Sequence, residues 1–126
     1  MAEDYSEVVI AEAERKPSTV SGTLHVDLVS ELGCEEMRPK VWFLSPGDEM
    51  SFHRQTDQEE FYYVLDGPGR MKIGADGDIR DVPEGTALRV PPETPRQILN
   101  DTDDEHVWLV VGAPPSEDDG RPAFDE

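Results

Sequence analysis

Apolar and polar residues alternate along most of this chain with a period of two, and each alternating stretch is short. Val8-Val9-Ile10 is the first, placed to act as an edge strand or as an arm across a dimer partner. Over Thr23 to Val29, Leu24, Val26 and Leu28 face one way and His25 and Asp27 the other. Val41 to Leu44 is a continuous apolar strand closed by Ser45-Pro46-Gly47, and Phe61 to Leu65 is rich in strand formers and ends at Asp66-Gly67-Pro68-Gly69. Arg70 to Ile73 and Ile79 to Val82 flank Ala75-Asp76-Gly77-Asp78, a hairpin tip in which Asp-Gly supplies positive φ. Ala87 to Val90, Gln97 to Leu99 and Val107 to Val111 complete the set. Short strands, turns every eight to twelve residues and no long amphipathic helix predict an all-β sandwich, jelly roll or small barrel. The expected organisation is an N-terminal arm over residues 1–19, a β-barrel domain over 20–113 and an acidic mobile tail over 114–126.

A length of 126 residues suits one domain with a proper core. Charge adds more. Asp and Glu number 29 against 11 Lys and Arg, for a net charge of -18. Such a field repels nucleic acid and anionic membranes, so neither is an expected partner. The acids are spread along the chain and accompany regular apolar alternation, which argues against a disordered polymer. Molar salt shrinks the Debye length to about 3 Å and screens self-repulsion while carboxylates hold water. The composition resembles that of haloarchaeal cytoplasmic proteins. With no apolar run of membrane-spanning length and an acidic N-terminus, the expected location is the cytoplasm.

Cys34 stands alone and is read as structural or incidental. His25 lies on the polar face of its strand and His106 follows an acidic turn, so both are expected at the surface. No phosphate-cradling glycine loop, nucleophile elbow or zinc helix is present. The informative segment runs from Gly47 to Gly67. His53 and Gln55, two apart, project from one face of a strand, and Glu60, Tyr62 and Val64 share a face of the next. If the two strands pair antiparallel, Glu60 meets His53 inside a barrel, and such a nitrogen and oxygen set suits a divalent first-row metal.

This segment resembles the first motif of the cupin superfamily, G-x5-H-x-H-x3,4-E-x6-G. Gly47, His53, Glu60 and Gly67 match, and Gln55 stands at the second histidine. The second motif, G-x5-P-x-G-x2-H-x3-N, finds Gly85, Pro91 and Asn100, with Glu93 for the glycine and Arg96 for the histidine. The resemblance implies a double-stranded β-helix, or jelly-roll barrel, whose relatives hold one metal with three His and one Glu. Here His53, Gln55 and Glu60 are the candidate metal ligands. Arg96 stays protonated and offers no lone pair, so metal binding is expected to be weak or absent.

The expected ligand pocket is His53, Gln55, Glu60, Tyr62 and Arg96. Arg96 either forms a buried ion pair with Glu60 or clamps a ligand carboxylate or phosphate. Three readings of function stand. The first is a cavity that binds a small polar or anionic molecule, as a sensor, binding module or weak acid–base enzyme using Glu60 and His53. The second is a metal-dependent isomerase, dioxygenase or decarboxylase-like enzyme, and the third an interaction protein with a vestigial pocket. Phe61, Tyr63 and Leu65 point away from the pocket and, with Val41 and Phe43 beside them, predict a homodimer unless the chain's own arm covers them.

Overall fold

The strand-forming stretches pair into two antiparallel sheets in a computed structural model that describes residues 4–116 and 119–123. The strands are β1 (Lys16–Pro17), β2 (Leu24–Asp27), β3 (Arg38–Leu44), β4 (His53–Gln55), β5 (Glu59–Asp66) and β6 (Gly69–Ile73). They continue as β7 (Asp78–Val82), β8 (Ala87–Val90), β9 (Arg96–Leu99), β10 (His106–Ala113) and β11 (Gly120–Pro122). One sheet has the order β1-β2-β3-β10-β5-β8 and the other β11-β4-β9-β6-β7. In the larger sheet β3 and β5 are separated by β10, which returns from the far end of the chain. This is the double-stranded β-helix expected from the paired motifs.

Alternation decides which side chains fill the space between the sheets. Along β10 burial alternates residue by residue, with Trp108 and Val110 inward and Val107 and Leu109 outward. Trp42, Leu44, Tyr62, Val64, Met71, Val82, Val90 and Ile98 complete the inner core. Tyr62 and Trp108 meet edge to face, with centroids 5.9 Å apart at 89°. The close approach of β6 to Trp108 requires Gly69, because a Cβ there would lie 2.5 Å from the indole. The β6–β7 hairpin turns as expected, with Gly74 and Gly77 both at positive φ.

The outer face of the larger sheet carries a second apolar cluster of Val26, Leu28, Val41 and Phe43. Val8-Val9-Ile10 is not an edge strand. Its segment forms a short 3₁₀ turn, Ile10–Glu12, and Val8, Ile10 and Ala13 pack onto this cluster. The Arg15 guanidinium lies 3.6 Å above the Phe43 ring. Only the two residues Lys16–Pro17 pair as an edge, against β2. Phe61 and Leu65 stay uncovered, each 43% exposed.

Four further expectations need correction. The strand from Thr23 stops at Asp27, whose side chain accepts the Val29 N–H and caps a five-residue helix, Leu28–Leu32, ended by Gly33 at positive φ. Leu24 is 41% exposed at the sheet edge, while His25, expected at the surface, lies against the Trp42 ring at 4.5 Å. His106 is buried beneath the acidic turn, whereas His25 is half-buried, and the His106 Nε2 lies 3.1 Å from the Thr102 hydroxyl. Burial holds its pKa below the ordinary imidazole value, although Asp104, Asp101 and Asp66 pull the other way. Finally, the segment expected as a mobile tail includes β11, which pairs with β4. No helix among the described residues is long and apolar enough to cross a membrane.

Candidate functional site

His53 and Glu60 do not face each other across a strand pair. β4 lies in the smaller sheet beside β9, and β5 in the larger sheet between β10 and β8. The turn Thr56 to Gln58 carries the chain from one sheet to the other, so the two side chains converge across the barrel. His53 Nε2 is 4.0 Å from Glu60 Oε1. Arg96 is the register partner of His53 on β9. It is fully buried, and its Nη1 reaches Glu60 Oε1 at 3.3 Å. The other terminal nitrogen donates to the Pro91 carbonyl. Tyr62 donates its hydroxyl to the same Glu60 oxygen at 2.8 Å. Burial, and then the Glu60 charge, push the Tyr62 pKa well above its ordinary value, so it stays a donor.

Beside this group lies a cavity of about 190 Å³. His53, Gln55, Glu60 and Tyr62 of the expected set line it, while Arg96 sits behind Glu60 and does not. Sequence reasoning missed Arg38 and Lys40, which enter from β3, and Gln58. The first two left a signal: Arg38, Lys40 and Trp42 alternate at period two, so one inward face carries them all. Neither cation has a carboxylate ion pair among the described residues, although Lys40 lies over the Trp42 ring at 5.8 Å.

His53 donates Nδ1–H to the Ser51 carbonyl at 3.0 Å. A carbonyl can only accept, so in the neutral ring Nε2 carries the lone pair and faces Glu60. Gln55 donates its amide N–H to Gln58 Oε1 at 2.9 Å, and its own oxygen lies against Gly120, 3.4 Å from where a Cβ would stand. These residues do not fit a divalent cation. The amide oxygen needed from Gln55 is turned to Gly120, and the carboxylate already holds a phenol and a fixed guanidinium charge. Among the described residues no three His, Cys, Asp or Glu side chains gather as a cation-holding cluster.

Asp119, also missed, braces the crossing turn. It is 6% exposed, and its carboxylate accepts the N–H groups of Thr56, Asp57 and Gln58 at 2.9–3.0 Å. Burial pushes its pKa up, but these bonds outweigh burial and hold it below the ordinary carboxylate value.

Residues 40–112 match the family model described as a cupin domain. An uncharacterized protein of Methanocaldococcus jannaschii is 35% identical over 54 residues, a match spanning 43% of this chain and 42% of that protein. The chain thus matches less than half the length of that curated relative. The polyketide cyclase RemF from Streptomyces resistomycificus superposes with a TM-score of 0.82 at 19% identity, covering all of this chain and 88% of that one. A sugar phosphate isomerase from a cupin superfamily, from Silicibacter pomeroyi, gives 0.75 at 23% identity over 86% of this chain and 76% of that one. At these identities the structures share the fold.

Proposed function

We propose, from the premise that this chain belongs to the cupin family, that it binds a small anionic molecule inside its barrel without a resident metal. The observation that carries this reading is the charge of the cavity. The chain bears a net charge of -18, yet among the described residues Arg38 and Lys40 line the cavity with no carboxylate within ion-pair distance, although Asp27 faces Lys40 across the β2–β3 pair. The one carboxylate there, Glu60, is already matched by Arg96. Two cations in the cavity wall, Arg38 and Lys40, against one carboxylate that Arg96 already holds favour an anion there, and the surrounding surface carboxylates would repel one elsewhere. At about 190 Å³ the cavity is smaller than the roughly 300–1,000 Å³ of drug-sized sites, so the ligand is a small metabolite. The similar fold named for a sugar phosphate is consistent with such a ligand.

A proton-transfer enzyme is the second reading. It is favoured by the His53 Nε2 lone pair, which faces the cavity beside Glu60.

Thermal unfolding with inorganic phosphate, with propionate and with neutral propionamide tests the binding reading. The anions should raise the melting temperature and propionamide should not; a ligand at 100 times its Kd stabilises by about 2.7 kcal/mol. Arg38→Gln with Lys40→Gln should abolish the effect. Equal responses to the anions and propionamide, or an unchanged response in the double variant, would reject it.

A further inference from the structure

Gln58 is 5% exposed, lines the cavity, and leaves its Nε2 buried without a partner. A buried amide N–H with no acceptor is unfavourable, and at the wall of a cavity a bound molecule can supply the acceptor. Rotating the amide would forfeit the bond that its Oε1 accepts from Gln55, and the whole amide lies against β10, where a Cβ at Gly112 would stand 3.0 Å from Oε1. Its backbone is clamped by Asp119, which accepts the Gln58 N–H at 2.9 Å. Gly120 of the same segment backs Gln55. The C-terminal segment therefore sets the position of one donor in the cavity wall.

The opposite need exists at the His53–Glu60 gap. His53 Nε2 and Glu60 Oε1 are both acceptors when the ring is neutral, and they stand 4.0 Å apart with no proton of their own to share. A group that donates to the His53 Nε2 lone pair beside Glu60, and also accepts from Gln58, satisfies both vacant valences. Hydroxyl groups do this; an aliphatic chain does neither.

We propose that the ligand is a small hydroxylated anion, a hydroxy acid or a polyol phosphate, whose hydroxyls are read by Gln58 Nε2 on one side and by His53 and Glu60 on the other. Gln58 is then the residue that sets specificity, and Asp119 positions it. This inference rests on the anion-binding reading, with Arg38 and Lys40 supplying charge and Gln58 supplying discrimination.

Calorimetric titration with glycerate and with propionate tests it, since the two share a carboxylate and chain length and differ by two hydroxyls. Wild type should favour glycerate by about tenfold or more, the scale of one or two well-formed hydrogen bonds. Gln58→Leu should collapse that ratio towards one, the loss falling on glycerate, and urea unfolding reports whether the variant is folded. Should Gln58→Leu fail to fold, Gln58→Met takes its place. Asp119→Asn should reduce the ratio in the same direction. Equal binding of the two ligands by wild type would overturn this inference and leave anion binding intact. Binding of neither would overturn both. A glycerate preference that survives in the Gln58 variants would remove Gln58 from the role.

Discussion

Replacing Arg96 with Met removes a guanidinium from a wholly buried position while roughly keeping its volume. Glu60 loses its ion-pair partner at 3.3 Å but keeps the Tyr62 hydroxyl at 2.8 Å. Breaking a buried pair on one side typically costs about 3–5 kcal/mol, because a charge is left in a poor solvent. Two features place this case near the lower end. The Glu60 side chain retains 13% exposure, and Tyr62 still donates to it. The Pro91 carbonyl also loses its donor, but Pro91 is exposed and water can replace it. The expected loss is therefore about 3 kcal/mol, a drop of roughly 10–15 °C in melting temperature for a domain of this length. Urea unfolding, followed by the fluorescence of the buried Trp42 and Trp108, measures it. Adding Glu60→Gln removes the stranded charge, so the double variant should be more stable than Arg96→Met alone. A single-variant loss below about 1 kcal/mol, or a double variant whose loss is the sum of the singles, would refute the buried pair.

Other consequences are open to direct measurement. Arg96→His replaces a repelling charge with an imidazole donor beside His53 and Glu60, so affinity for a divalent metal should rise by about tenfold or more in calorimetric titration; tight stoichiometric binding by wild type would instead revive a metalloenzyme. With 29 acids against 11 bases, the melting temperature should climb from dilute buffer to molar KCl, and a flat or falling response would reject the salt-adapted reading. The exposed Phe61 and Leu65 beside Tyr63 should form a homodimer surface, so light scattering should give twice the chain mass and Leu65→Glu should halve it; wild type that is monomeric at every concentration counts against the surface. Burial holds His106 and His25 below the ordinary imidazole pKa, so the folded state binds protons less readily than the unfolded chain. Stability should be full above pH about 6.5 and fall as pH drops from there towards the lowered folded values, and His106→Gln should flatten part of that slope in urea titrations at pH 7.5 and 5.5. An unchanged slope would assign the pH response elsewhere.

The sequence by itself determined the elements and their inward faces wherever a strand is half-buried. Period-two alternation assigned Tyr62 and Val64 inward and Phe61 and Leu65 outward, because slipping by one residue would expose the whole apolar set. The motif spacing likewise marked His53, Glu60 and Arg96 as one group, since loop lengths between paired strands are part of the fold. Alternation also placed Arg38 and Lys40 on the face of Trp42, but only the folded barrel shows that this face lines the cavity.

Tertiary structure decided the rest. That His53 and Glu60 meet across the barrel, rather than along a strand pair, depends on which sheet each strand joins, and local pattern carries no record of it. The polar face of β2 turned out to set His25 against Trp42, and an acidic turn covered His106, because burial is set by what packs above a residue. The arm covering Val41 and Phe43 left Phe61 and Leu65 open, a division invisible in hydropathy. Most of all, a polar acidic segment supplied Asp119 to three backbone N–H groups some sixty residues away. A carboxylate reads as solvated in sequence; only a folded chain can bring it the donors that make burial favourable.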